Sequence, residues 1–309
     1  MEEKIYLRGQ DLFYIVYTFK NRTIYAPSTN LRCHQKIFLE YIKTVYKLNF
    51  KTKNAAKVHC KQKWILKTDI KNFYESFSEI QIKNAIDILC KRLKSEYQMN
   101  VSREEMFHYC TIDGKLPTGA LTSAHLASFA FELIGIDKTV IDFCKKYKIH
   151  YSRYMDDLTF SSDDKNKLQS VKNFIQQILS ENGFSLNNKK TKYICNNMKQ
   201  EVLGILVNNK EPRISKINRR KIRSIIYNYF RSIYLKEYYG EIDIIVQKAG
   251  FEIITGHMLY LKETDSEYYK KMKEYIRTKS EKLKITNTEE VRKLYQLYKI
   301  EDYQLNLFK

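Results

Sequence analysis

The chain has 309 residues and a formal net charge of +20, with 55 Lys and Arg set against 35 Asp and Glu. That length buries a substantial core and divides into two or three subdomains, while the charge calls for a polyanionic partner. Six cysteines carry no Cys-x-x-Cys pair, no run reaches transmembrane length, and the acidic opening Met1-Glu2-Glu3-Lys4-Ile5 is unlike a signal peptide; a zinc site and a membrane are therefore not expected, and cytoplasm is.

In chain order, Arg22-Thr23-Ile24-Tyr25-Ala26-Pro27-Ser28 reads as a strand and turn, followed by a helix from about Leu31 to Tyr46. Asn54-Ala55-Ala56-Lys57-Val58-His59 sets Asn54 and His59 about one helical turn apart, able to lock a local backbone or to touch RNA. Trp64-Ile65-Leu66-Lys67-Thr68-Asp69 is a short apolar strand ending in an acid, with Phe73-Tyr74 just beyond it. An Asp in that place also caps a following helix, and Ser76 to Leu89 reads as one. Leu116-Pro117-Thr118-Gly119-Ala120-Leu121-Thr122-Ser123 is a turn opening into a helix through Leu126, Phe129 and Phe131, and the missing Cβ of Gly119 lets backbone approach a ligand. Ile149-His150-Tyr151 and Leu158-Thr159-Phe160 flank Tyr154-Met155-Asp156-Asp157 as strand, acidic tip and strand. Asn187-Asn188-Lys189-Lys190-Thr191 follows, and Val202 to Val207 reads as a strand before a turn at Asn208-Asn209-Lys210. Beyond it Ile222, Ile225, Ile226, Tyr229, Phe230 and Ile233 fall at helical spacing, with Lys216, Arg219, Arg220, Arg223 and Arg231 largely off that face. The body is α+β and the tail all-helical.

The adjacent carboxylates carry the chemistry. Held about 5 Å apart at an effective dielectric near 20, two such charges repel by about 3 kcal/mol, so a fold that presents them side by side has cations to present them to. A surface Asp-Asp turn is the plain alternative for an isolated pair. A third acid, Asp69, at a distant strand end makes the trio that suits two Mg²⁺ ions, one activating a 3′-hydroxyl and one holding a triphosphate. Basic residues interleaved with 25 tyrosines suit a groove that tracks phosphates and stacks bases.

From about Arg22 to the end of the chain, these motifs in this order resemble a reverse transcriptase, and more narrowly a retron-type bacterial reverse transcriptase. Tyr154-x-Asp156-Asp157 is more typical of that family than of RNA-dependent RNA polymerases, which usually carry Gly-Asp-Asp. The resemblance implies a right-hand polymerase with fingers over 1–68, a palm over 69–207 with part of the fingers inserted, its antiparallel sheet carrying the Tyr-x-Asp-Asp hairpin, and a basic helical thumb over 208–309. It implies that Asp69 and Asp156 bridge two Mg²⁺ ions (Mn²⁺ as a substitute), that Asp157 supports them, and that Ile70 joins the metal and substrate contacts. Tyr74 is then the gate that excludes a 2′-hydroxyl, and Thr118 and Gly119 touch the incoming nucleotide. Thr118 stands where the family usually has Gln, and Leu121 where it usually has Pro. Lys190 lies near the departing pyrophosphate, and Lys51 or Lys53 clamps the triphosphate.

Asn54-Ala55-Ala56-Lys57-Val58-His59 resembles the Asn-Ala-x-x-His pattern of retron enzymes with one residue more between Asn54 and His59, and Val202-Leu203-Gly204 departs from their Val-Thr-Gly. The partners implied are dNTPs, a DNA product, and a cognate structured non-coding RNA serving as template and primer. Asn54, His59, Lys216, Arg219, Arg220 and Arg223 are the candidate RNA contacts. Retron resemblance further implies priming from the 2′-hydroxyl of a guanosine to give RNA-linked multicopy single-stranded DNA, a toxin or effector partner, and anti-phage defence. The alternatives are a non-retron defence-associated or abortive-infection reverse transcriptase, an RNA-dependent RNA polymerase, and a non-catalytic RNA-binding scaffold.

Overall fold

The computed structural model describes residues 3–7, 11–19, 22–47, 52–239 and 244–282. Strands β1 (Glu3–Tyr6), β2 (Phe13–Phe19) and β3 (Arg22–Pro27) form an antiparallel sheet in that order. Helix α1 (Thr29–Val45) starts where Ser28 Oγ accepts from the Leu31 N–H at 3.4 Å, and it buries Leu31, Gln35, Phe38 and Ile42 along one face. After α2 (Thr52–Lys57) and β4 (Trp64–Asp69) come a short α3 (Phe73–Ser76) and then α4 (Glu79–Tyr97), which is the helix expected over Ser76 to Leu89 with its start moved to Glu79. Ser78 and Gln81 form a reciprocal capping box there, which begins a new helix and ends the old one. The chain continues through α5 (Arg103–Cys110), α6 (Ser123–Ile134), α7 (Ile136–Tyr147), β5 (His150–Tyr154), β6 (Asp157–Ser162), α8 (Lys165–Glu181), a 3-10 turn at Asn188–Lys190 and β7 (Lys192–Cys195).

Among the described residues the chain groups into two compact units, Met1–Lys51 with Gln62–Met198, and Thr52–Lys61 with Lys199–Lys309. The larger sheet of the first unit is antiparallel in the order β5-β6-β4-β7, which makes β6 and β4 its interior strands. Their sequences suit that place: Leu158, Phe160, Ile65 and Leu66 are almost wholly buried. Phe73, Phe77, Phe131 and Phe184 interlock with ring centroids 5.0 to 5.6 Å apart, mostly edge to face. The residues just beyond Asp69 are thereby anchored in the core.

The second unit includes α2 together with β8 (Glu201–Val202), β9 (Ile205–Leu206) and β10 (Arg213–Ile214), ordered β10-β9-β8, and the helices α9 (Lys216–Tyr239), α10 (Ile244–Thr264) and α11 (Ser266–Lys282). The run from Val202 to Val207, a strand by its pattern and a primer-grip hairpin by resemblance, folds as a hairpin, because Leu203 at φ +52° and Gly204 at φ +80° make a two-residue turn. The tail beyond Lys210 is not helical throughout, since β10 precedes α9. The spaced apolar residues of α9 do form its buried face, with Ile222, Ile226, Tyr229, Phe230 and Ile233 packed among Ile254, Met258, Leu261, Met272 and Ile276. No helix among the described residues is long and apolar enough to cross a membrane.

One carboxylate ties this helical unit together. Asp265, 1% exposed, accepts from the Ile214 N–H at 3.1 Å, from the Tyr268 N–H at 3.1 Å, and from Arg219 Nε and Nη2 at 3.1 and 2.7 Å. It joins β10, α9 and the first turn of α11. Asp265→Ala leaves a buried N–H and a half-buried guanidinium without their acceptor, so urea unfolding is expected to read a loss of about 3 kcal/mol; a loss within about 0.5 kcal/mol, the range of neutral surface changes, contradicts this account.

Candidate active site

Three segments meet at the end of β4. Register pairs Asp69 with Asp157 across β4 and β6, and the Ile70 N–H donates to the Asp156 carbonyl at 2.9 Å. From the other side, the Asn187 N–H donates to the Asp69 carbonyl at 2.7 Å, and the Lys71 N–H to that of Ser185 at 2.8 Å. The acid at a strand end, the acid at a hairpin tip and the segment before β7 are thus stitched together through backbone alone.

The tip itself is a two-residue loop, Met155-Asp156, between the paired Tyr154 and Asp157. Met155 has φ +52°, the sign that such a loop needs at its first residue. A residue with a Cβ adopts it at a cost of about 1–2 kcal/mol. Asn72, between Asp69 and Tyr74, also has positive φ at +48°, which Asn tolerates better than most residues.

Asp69, Ile70, Tyr74, Thr118, Asp156 and Lys190 line one cavity of about 450 Å³, within the range of small-ligand sites. Tyr74 rises from α3, and Thr118 comes from the loop before α6. That loop is gripped tightly: the Tyr25 N–H donates to the Thr118 carbonyl at 2.8 Å, and the Leu121 N–H donates to Gln35 Oε1 at 3.2 Å. Gln35 is wholly buried, and its Nε2 donates to Tyr14 Oη at 2.6 Å and to the Tyr109 carbonyl at 2.9 Å. Gly119, at φ +111°, is required there, since a Cβ would stand 2.8 Å from the Tyr25 carbonyl oxygen.

The charges are unevenly compensated. Asp69 is 5% exposed; its Oδ2 accepts from Lys190 Nζ at 2.5 Å and its Oδ1 from Asn187 Nδ2 at 3.4 Å. Burial pushes the Asp156 carboxyl above its ordinary value, and the like charges of Asp69 and Asp157 push the same way against Lys190. Burial also raises the Tyr74 phenol, with Asp156 next in effect. Among the described residues no group of three His, Cys, Asp or Glu side chains stands ready to hold a metal ion, and the cation on Asp69 is an ammonium. The donor chemistry nevertheless fits a hard divalent cation: oxygen ligands only, with two buried or half-buried acids on one cavity and a third raising the pKa of the second.

Of the residues expected from the sequence, Asp69, Asp156, Ile70, Tyr74, Thr118 and Lys190 share the cavity, with Gly119 shaping the loop beside Thr118 and half-buried Asp157 opposite Asp69. Lys51 lies outside the described residues, as does the side chain of Lys53. Arg22 and Thr23 also line the cavity, and the sequence reading assigned neither a role. The available signal was Arg22 itself, a charged residue opening a strand, which the fold leaves exposed as a second basic side chain on the cavity beside Lys190. In the second unit, His59 is completely buried, which corrects its assignment as an RNA contact: an imidazole inside the packing presents no face to a nucleic acid. Arg219 is half-buried, with its guanidinium held by Asp265. Asn54, Lys216, Arg220 and Arg223 remain exposed.

Residues 18–207 match the family described as Reverse transcriptase (RNA-dependent DNA polymerase). The chain is 29% identical over 177 residues to the retron Ec48 reverse transcriptase of Escherichia coli, covering 57% of this chain and 41% of that protein. It is 25% identical over 231 residues to the retron Mx65 reverse transcriptase of Myxococcus xanthus, covering 68% and 53%. Against the retron Ec86 reverse transcriptase of Escherichia coli it is 24% identical over 283 residues, covering 86% and 81%. The chain thus spans about half the length of the first two relatives.

The raised Asp156 carboxyl has a consequence for stability. The folded protein holds that proton more tightly than the unfolded chain, so stability falls as pH rises from the ordinary carboxylate range through the folded pKa. In metal-free buffer, Asp156→Asn is expected to raise the melting temperature by a few degrees near neutral pH, with the gain fading in acid, where the native carboxyl is already neutral. Thermal melts of both proteins across that range check it, and an unchanged or lower neutral-pH melting temperature refutes it.

Proposed function

The chain belongs to the reverse transcriptase (RNA-dependent DNA polymerase) family, and on that footing we propose that it copies a cognate structured non-coding RNA into DNA as a retron reverse transcriptase. The observation that carries the proposal is the single cavity lined by Asp69 and Asp156 together with Tyr74, Thr118 and Lys190. Nucleotidyl transfer needs acids for metal ions, a cation for the leaving group and a wall that measures the sugar, all within one pocket. The retron reading is supported by the Ec48, Mx65 and Ec86 relatives.

In this reading Asp69 and Asp156, with Asp157 beside them and Ile70 adjoining, hold divalent metal, expected to be Mg²⁺. When bound, the metal supplies activation of the attacking hydroxyl and neutralisation of the triphosphate. Tyr74 sets its ring where a 2′-hydroxyl would project, so deoxynucleotides fit and ribonucleotides clash. The Thr118-Gly119 loop, held by Tyr25 and Gln35, gives the nucleotide a fixed backbone to lie against. Lys190 leaves Asp69 and places its ammonium at the departing pyrophosphate, as donor or as counter-charge. Arg22, across the same cavity, takes the phosphate-facing position expected of Lys51 or Lys53. The basic thumb falls within the second unit, with Lys216, Arg220 and Arg223 on the exposed side of α9 facing RNA. The product would be RNA-linked single-stranded DNA, made in the cytoplasm and serving, with a toxin or effector, in anti-phage defence.

Purified protein and its co-purifying nucleic acid test this reading together. Sequencing is expected to find one structured RNA and DNA joined to it, the DNA shortening on debranching; unlinked or untemplated DNA favours a non-retron defence enzyme. Asp156→Asn with Asp157→Asn is expected to abolish incorporation, and Tyr74→Ala to raise ribonucleotide relative to deoxynucleotide incorporation by about 10- to 100-fold, the range open to one steric contact. Preferred ribonucleotide incorporation by the native protein, unmoved by Tyr74→Ala, points to an RNA polymerase. Biological activity that survives the double Asp change points to a scaffold.

A further inference from the structure

We propose that Arg153 is a positioning residue that sets the direction of the Asp156 carboxylate through the peptide bond joining Met155 to Asp156; its kinetic consequence rests on the polymerase reading above. Arg153 lies on β5, two residues before the hairpin tip, with a side chain only 11% exposed. Its Nη1 donates to the Met155 carbonyl at 3.1 Å. The rest of the guanidinium is fixed from elsewhere: Nε donates to Asp137 Oδ1 and Oδ2 at 2.9 and 2.8 Å, Nη2 donates to Oδ2 at 2.5 Å, and the plane lies over the Phe131 ring at 4.5 Å. Asp137, at the start of α7, is itself held by the Tyr151 hydroxyl at 2.8 Å. The direction of Nη1 is therefore set by α6, α7 and β5, not by the loop it touches.

The Met155 carbonyl and the Asp156 N–H belong to one planar peptide unit, so a bond to the oxygen fixes the orientation of the amide on the other side. The next peptide is fixed as well, because the Asp156 carbonyl accepts from the Ile70 N–H at 2.9 Å. Asp156 is thus gripped through both its peptide planes, by Arg153 on one side and by the residue after Asp69 on the other. The Met155 side chain is held too, with Ser128 Oγ donating to its Sδ at 3.1 Å. A loop whose first residue sits at positive φ has reason to need these grips, because other backbone conformations are open to a methionine once they are released. Arg153 serves this role by its fork. A lysine offers one point of charge and cannot face Asp137 and the Met155 carbonyl in fixed directions together.

The test compares Arg153→Lys with Val171→Ala, a control that opens a small void in the core at a wholly buried residue of α8. Both are measured at a temperature where each is fully folded. Arg153→Lys is expected to speed amide hydrogen exchange at residues 155–157 by about tenfold or more. It is also expected to lower kcat by about 10- to 100-fold, the penalty of a misplaced catalytic group, with the KM for deoxynucleotide held within about twofold. Val171→Ala is expected to leave exchange at the tip, kcat and KM at native values. Unchanged exchange and kcat in Arg153→Lys overturn the proposal, as does an equal loss in the control. Should Arg153→Lys fail to fold, Asp137→Asn, which keeps an acceptor for the guanidinium but loses its charge, is read by the same measurements. If the native protein incorporates no deoxynucleotide at all, the polymerase reading fails, and the exchange comparison still decides the role of Arg153.

Discussion

The antiparallel register between β4 and β6 places Asp69 opposite Asp157, and the remaining geometry of the site depends on that pairing. Shifting it by one residue would turn every side chain of the strand to the other face, burying Lys67 in place of Leu66. Both strands are interior, so hydrogen bonds on either side lock the register. The backbone then brings Asp156 and Asn187 to the same place through the bonds at Ile70 and at the Asp69 carbonyl. Like charges gather here because the sheet leaves them no alternative. The protein tolerates them with one ammonium on Asp69 and an elevated carboxyl at Asp156.

Much of this was legible in the residues. Alternation around Tyr154 to Asp157, an apolar run ending at Asp69, and a glycine inside Leu116 to Ser123 each have a local cause, and each reports on local structure. The elements that were misread depend on details that periodicity does not encode. The break between α3 and α4 comes from a Ser-Gln capping pair inside an otherwise continuous helical pattern. The Val202 to Val207 run is apolar throughout, so periodicity alone reads one strand and the turn at Leu203 and Gly204 is suggested only by resemblance. His59 was misassigned, and the partner of Arg219 went unseen, for a different reason. A histidine and an arginine carry the same letters whether they face water or a buried partner, and Asp265 lies 46 residues from Arg219. Arg22 was missed because its relation to Asp69 exists only once β3 and β4 have come together around the cavity.

The large net charge reads differently once the pairs are assigned. Part of the basic excess on α9 is paired within the helical unit, with half-buried Arg219 bound to Asp265, while exposed Arg223 lies 5.2 Å from the Tyr275 ring of α11. Lys279 lies over both Tyr227 and Tyr275 at about 6 Å. These contacts hold cations beside aromatic rings on adjoining helices. Lysines and tyrosines that looked scattered in the sequence are collected on the surface by helix packing.

The short segment Thr52–Lys61 sits in sequence between two stretches of the first unit, yet belongs with the second. Its α2 packs against β9 and α10, Lys57 pairs with Glu211 at 3.6 Å, and the Lys61 N–H donates to the Val207 carbonyl at 2.9 Å. During synthesis on the ribosome this segment emerges well before any of those partners exists. It must wait, unsupported, while some 150 further residues are translated, whereas a helix of six residues has little stability alone. The order of assembly therefore differs from the order of translation, and no single cut in the chain separates the two units cleanly.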